Sequence, residues 1–173
     1  KRGERGTFHR LLFMMSIFDI IRTLAMTITP FLLPEDGGGG RVFALGTDET
    51  CRAMGFVKQL SSGAFLYNTA LAIHYLLTIV YGISSRKIAR HIEIWFHAII
   101  LCFCVATATV GVSLDGVFGE EELGLECWVN TYPDECESDP SQTCHGWLIG
   151  WIFWGVPCFL CFALILVFNS LIV

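Results

Sequence analysis

Four apolar stretches organise the chain: Phe8 to Leu33, Ala53 to Gly82, Ile92 to Leu114, and Trp147 to Val173. Each reaches or exceeds the roughly 20 residues that a helix rising ~1.5 Å per residue needs to cross ~30 Å of hydrocarbon. The pattern therefore predicts four membrane-spanning helices (about 8–33, 53–82, 92–114 and 147–173), joined by segments 34–52, 83–91 and 115–146. Running in alternate directions, they form an antiparallel transmembrane helix bundle, an all-α membrane protein with a single transmembrane domain over residues 1–173. None of the four reads as a signal peptide, because all are too long and no small-residue cleavage site follows the first. The chain starts at Lys1 and stops at Val173 inside an apolar run, so further helices are expected on either side in a longer protein.

Composition agrees with a membrane class. Hydrophobic residues make up 54% of the chain and charged residues only 16%, against roughly 25% in ordinary soluble domains. The bilayer is thus a partner, and nothing in a chain of net charge −5 reads as a nucleic-acid site.

Charge then orients the segments. Lys1, Arg2, Arg5 and Arg10 precede or open the first span, and Arg86, Lys87 and Arg90 lie between the second and third, which makes both segments cytosolic. Segment 115–146 has no Lys or Arg and carries Asp115, Glu120, Glu121, Glu122, Glu126, Asp134, Glu135, Glu137 and Asp139. It is read as extracellular or lumenal, together with 34–52; the plasma membrane is the expected location. Cysteines follow the same division: Cys51, Cys127, Cys136 and Cys144 fall at the outer side, and Cys102, Cys104, Cys158 and Cys161 within spans. Four cysteines in an oxidising compartment leave three connectivities open. The expected one pairs Cys51–Cys127, tying the top of the second span to the long loop, and Cys136–Cys144, closing a short loop around Asp139 and Pro140. Zinc binding is the rival reading, but these four form no CxxC pair and no His cluster accompanies them. Neither a metal nor a cofactor is expected. Asn68, Asn130 and Asn169 all fail as glycosylation sequons at the third position.

Polar residues inside the spans carry the functional signal. A charge at the centre of a membrane helix costs on the order of 2.5–3.5 kcal/mol on the insertion scale, so it normally faces protein or a water-filled cavity. Asp19 lies roughly 18 Å from the cytosolic start of its span, near the midplane. Arg22 is one turn further and can pair with Asp19 or reach another helix. With Ser16 and Asn68 these form an expected buried polar network. In the second span Lys58, Ser61, Phe65, Asn68, Ala72 and Tyr75 recur at steps of three and four, hence on one helical face. Lys58 lies two turns below Cys51, roughly 10 Å deep. There it reads either as the wall of an outward-facing cavity or as a side chain snorkelling to the interface. His74, Tyr75, Trp95, His97, Trp147, Trp151 and Trp154 read as interfacial anchors, and Pro30 and Pro157 as kinks. No nucleophile, base and orienter assemble from nearby positions, so the chain is not expected to be an enzyme.

RLLFMMSIFDII, with Ser16 and Asp19 three residues apart, resembles the second helix of seven-transmembrane G protein-coupled receptors. Cys51 followed by Gly55 and Phe56 resembles the start of their third helix, especially in the cyclic-AMP-receptor-like group, and Cys127-Trp128 resembles the Cys-Trp of the second outer loop there and in secretin-like receptors. The resemblance covers nearly the whole chain, as helices two to five of a seven-helix receptor fold. It implies the Cys51–Cys127 bond, and a role for Asp19 in a polar, sodium-associated network that changes during activation. It also implies an unknown extracellular ligand bound in the outer half of the bundle, with Lys58, Gln59, Ser62 and Trp128 as candidate contacts, and a heterotrimeric G protein as the cytosolic partner. One departure matters: where rhodopsin-like receptors end the third helix with Asp-Arg-Tyr, this chain has HYLLTIVYG. His74, Tyr75, Arg86, Lys87 and Arg90 are the candidates for coupling instead. Two other classes share some of these features. One is a four-span scaffold of the tetraspanin or claudin kind, against which the missing Cys-Cys-Gly counts. The other is a cation transporter or channel using Asp19 and Lys58.

Overall fold

Residues 6–35, 43–114, 116–120, 126–130 and 143–172 are described by the structure, a computed structural model. Four helical stretches are long and apolar enough to cross a membrane: Gly6–Leu32, Asp48–Val80, Glu93–Ser113 and Gly146–Ile172. The protein is a helical membrane protein, and its four long helices match the four stretches read from hydropathy.

The first span is one helix, α1 (Gly6–Leu32), which runs on through Pro30. Its end is pinned by main-chain bonds from Leu45 to Phe31 and from Gly46 to Leu33. Thr47 then caps the next helix reciprocally: its hydroxyl accepts from the Thr50 N–H while the Thr50 hydroxyl accepts from the Thr47 N–H. Two of the four orphan donors of a helix start are satisfied in this way, and Asp48 and Glu49 in the first turn add a favourable charge.

The second span departs from a continuous helix. It comprises α2 (Asp48–Leu60), a break at Ser61 and Ser62, α3 (Gly63–Tyr75), and a π-helical turn, Leu76–Val80. At the break the Ser61 hydroxyl donates to the Lys58 carbonyl and the Ser62 N–H to the Gln59 carbonyl. Serine competes with the helix ladder in this way and tightens it locally. The single face expected from Lys58 to Tyr75 is therefore split: Lys58, Ser61 and Ala72 are buried, while Asn68 and Tyr75 are exposed. Gly82, with φ 61, then turns the chain into α4 (Ser85–His91), which buries Ile88 completely.

The third span is α5 (Glu93–Ser113). It leads to a structural element the hydropathy pattern did not foresee, a two-stranded antiparallel hairpin of β1 (Phe118–Glu120) and β2 (Cys127–Val129), with Gly119 opposite Trp128. The fourth span comprises α6 (Gly146–Gly150), a second π-helical turn at Trp151–Gly155, and α7 (Val156–Ile172).

Contacts fix the directions. Phe8 meets Tyr75 and Phe18 meets Tyr67, so the first and second spans are antiparallel. Gln59 meets Thr107 and Tyr67 meets His97, so the second and third are antiparallel too. Phe65 meets Trp154 and Thr69 reaches Cys161, so the second and fourth run parallel. The second span is the hub: 44% of its most apolar window is buried, against 22% or less for the other three. Its central cluster joins Leu11 and Phe18 to Tyr67, Ala70 and Leu71, and to Ile100 and Cys104.

Candidate functional site

The hairpin is anchored into the bundle at four points. Cys51, at the start of α2, is bonded to Cys127 of β2. Next to it the Trp128 indole donates to Gln59 Oε1 at 3.2 Å. On the other side of the cysteine, the Glu126 carboxylate pairs with the Lys58 ammonium at 2.7 Å. Finally Phe118 of β1 lies against Gly55 and Gly111, where a Cβ on Gly55 would stand 2.9 Å from the Phe118 side chain and one on Gly111 would overlap its ring. The two glycines form a socket between the second and third spans, and only residues without a Cβ leave room for the ring.

Gln59 is the centre of this arrangement. It is 1% exposed, and its amide nitrogen donates to Thr107 Oγ1 at 2.9 Å and to the Phe153 carbonyl at 3.4 Å. Phe153 lies four residues before Pro157, which has no N–H to give that carbonyl. The proline thus has a local consequence beyond a kink: it leaves an acceptor for a side chain of another span. Through one amide, the second, third and fourth spans and the hairpin are linked.

These bonds change the reading of the ligand candidates. Lys58 neither lines an open cavity nor snorkels; it is 3% exposed and faces Glu126, which is 33% exposed. The carboxylate was invisible as a partner because 68 residues separate the two. Gln59 and Trp128 are occupied with each other, and Ser62, buried, lies 3.8 Å from Cys104 Sγ. Ser62 also lines open space.

That space is a cleft of about 410 Å³ along the first, second and fourth spans, lined by Met15, Asp19, Arg22, Ser61, Ser62, Ala64, Phe65, Asn68 and Trp154. Three members of the expected polar network, Asp19, Arg22 and Asn68, meet here. They are not a buried network. Asp19 and Asn68 are exposed, and among the described residues neither side chain makes a hydrogen bond or ion pair. Ser16 is also exposed and donates only to its own helix, at the Leu12 carbonyl. Arg22 does not pair with Asp19; its guanidinium stacks over the Trp154 ring at 5.0 Å, a cation–π contact with another span. Trp154, half-buried, also meets Phe65 and Trp128. The network is open because no described element covers this side of α1 and α3.

At the opposite end, Arg86, Lys87 and Arg90 stand exposed on α4 and Tyr75 is exposed on α3. His74, the fifth coupling candidate, is 5% exposed and faces the bundle, so it is removed from any surface a partner can touch. Sequence reasoning missed what lies around it. Glu93 is buried and accepts from Thr7 Oγ1 and from Arg10 Nε and Nη2, while the Tyr67 hydroxyl bonds His97 Nδ1 at 2.9 Å. His97, expected at the interface, is thus tied inward. The available signal was Glu93 itself, an acid at the start of an apolar run and one turn from His97.

Among the described residues there is no cluster of three or more His, Cys, Asp or Glu side chains placed to hold a metal ion. Cys144 is disulfide-bonded, and Cys136, its expected partner, lies outside the described residues. Comparison with protein-family models, curated proteins and solved structures finds no match for this chain.

Proposed function

We propose that the chain is the core of a receptor-like membrane protein of the seven-transmembrane, G protein-coupled kind, in which an extracellular ligand acting at the hairpin end alters helix packing at the end that carries α4. The hairpin end is then extracellular, the α4 end cytosolic and the plasma membrane the site of action. The observation that carries this reading is the hairpin's attachment: a segment between spans is bonded to the interior amide of Gln59, and through it to three spans. A contact made on such a segment is mechanically connected to the bundle core, as a population shift between two packings requires. The exposed cations Arg86, Lys87 and Arg90 then form the surface that meets a G protein.

The open cleft argues against a four-span scaffold. An unpaired carboxylate and a free amide facing hydrocarbon are costly near a bilayer midplane, so Asp19 and Asn68 fit a bundle in which further helices close that side. The same unpaired Asp19 is what favours a cation transporter or channel as the second reading.

Topology reporters placed after each apolar segment of the full-length protein test the proposal. Seven spans with an external start support the receptor, four spans with both ends cytosolic support the scaffold, and ten or more support a transporter. In the seven-span case, Asp19→Asn is expected to change basal nucleotide exchange on a reconstituted G protein with little change in folded yield. A loss of yield with unchanged exchange per folded molecule would assign Asp19 to packing alone.

A further inference from the structure

His74 is a buried imidazole with no hydrogen-bond partner among the described residues on either ring nitrogen. A neutral ring in that position forfeits two hydrogen bonds it would make in water. Such a site is poised for a change of state. What surrounds it is the Glu93 cluster. Glu93, on α5, is committed to two groups of α1: the Thr7 hydroxyl at 2.7 Å, and the Arg10 guanidinium, whose Nη2 stands 2.7 Å from Oε2. The Tyr67–His97 bond sets the register: His74 lies two turns beyond Tyr67 on the same face of α3, and Glu93 one turn before His97 on the antiparallel α5, so the carboxylate stands at the level of the ring. The other titratable or charged groups on the packed elements are His97 on α5, His9 and Arg10 on α1, Arg86, Lys87, Arg90 and His91 on α4, Tyr75 on the same helix as His74, and the thiols Cys158 and Cys161 on the last span. His97 Nε2 is 3.7 Å from Glu93 Oε1 and its other nitrogen is held by Tyr67.

We propose that this end of the bundle is a proton-operated clamp. With His74 neutral, Glu93 binds Arg10 and Thr7 and fastens the first span to the third. A proton from water, taken by a ring nitrogen of His74, creates a buried cation for which Glu93 is the available anion. The imidazolium then competes with Arg10, which is 55% exposed and has solvent as an alternative partner. The bond of Glu93 passes from the α1–α5 seam to the α3–α5 seam. Helix α4, which packs against both α1 and α5 through its buried Ile88, loosens with the seam. The π-helical turn that begins two residues after His74 supplies the local slack, since such turns are places where helices kink. Protonation of His97 has a different effect: it strengthens a pair with Glu93 inside one helix and moves nothing between helices. The clamp stands on these contacts alone and survives or fails independently of the receptor reading.

Hydrogen exchange on the full chain in lipid nanodiscs tests it, comparing about pH 7.5 with about pH 4.5, so that the lower value lies well below the ordinary histidine range, with times scaled for intrinsic exchange. In the wild type, amides of 6–14 and 85–97 are expected to exchange about tenfold faster at the lower pH. His74→Phe, which fills the same space without titrating, abolishes the difference; His97→Gln keeps it; Arg10→Gln shows fast exchange at both pH values. Should the phenylalanine variant not fold, His74→Gln takes its place. A wild type with no pH response, or a His74 variant that retains one, would overturn the proposal.

Discussion

Replacing Gln59 with leucine removes the amide that joins three spans and the hairpin while nearly preserving volume, so the cost is that of the hydrogen bonds and not of a cavity. Three are lost: to Thr107 Oγ1 at 2.9 Å, to the Phe153 carbonyl at 3.4 Å and from the Trp128 indole at 3.2 Å. At about 1 kcal/mol for a typical net hydrogen bond, and less for the two longer ones, the expected loss is about 2–3 kcal/mol. Thr107 adds little further penalty, because its hydroxyl still donates to the Phe103 carbonyl at 2.8 Å. For a chain of this size the loss corresponds to a fall in unfolding temperature of roughly 4–12 °C, read by thermal unfolding of the purified protein in detergent. A second substitution identifies the mechanism. Pro157→Ala restores an N–H that can bond the Phe153 carbonyl, so in that background Gln59→Leu is expected to cost about 0.5–1.5 kcal/mol less. A single substitution that costs under about 0.5 kcal/mol, or a double-mutant cycle that adds without coupling, would refute the assignment of Gln59 as the link.

Other substitutions probe the hairpin's remaining anchors. Cys51→Ser should expose one new thiol, on Cys127, in unreduced denatured protein, above those of Cys102, Cys104, Cys158 and Cys161; an unchanged thiol count would exclude the pairing. Because 76 residues separate the two cysteines, the chain-entropy model puts the stability loss at up to about 4–5 kcal/mol. Gly111→Val drives a branched side chain into the Phe118 ring and is expected to destabilise by about 1–3 kcal/mol, with faster proteolysis of 115–146; an added Phe118→Ala should recover part of the loss. Glu126→Gln removes the counter-ion of a buried ammonium and is expected to cost more stability than Glu120→Gln, since Glu126 alone pairs with Lys58 among the described residues; equal effects would show that Lys58 does not depend on it.

Sequence legibility divided along the range of the interactions involved. The spans were readable because hydropathy and length are local properties with a fixed physical threshold. What was not readable depended on residues distant in sequence. Lys58 looked like a free cation because its anion lies on the far side of α5. The pocket for Phe118 needs Gly55 from one helix and Gly111 from another, and neither glycine signals anything alone. His74 and His97 were assigned to the interface on residue type, and packing turned both inward. Asp19 was singled out as unusual, and of the two placements open to Arg22, a pair with Asp19 or a reach to another helix, the structure shows the second, over the Trp154 ring. The hairpin, with three-residue strands, is too short for an alternating pattern to register.

The separation between Cys51 and Cys127 also sets an order of events during synthesis. At about 5–20 residues per second the ribosome needs roughly 4–15 s to extend from one cysteine to the other. Over that interval the second and third spans are made while Cys51 is still a thiol, and from the synthesis of Gly111 until the hairpin is complete the socket of Gly55 and Gly111 has nothing to hold. The nascent protein therefore passes through a stage in which a reactive sulfur and an empty apolar groove face the same compartment. A thiol-directed folding catalyst or a chaperone in that compartment has those seconds in which to act, and oxidation with any earlier partner would trap the chain before its hairpin exists.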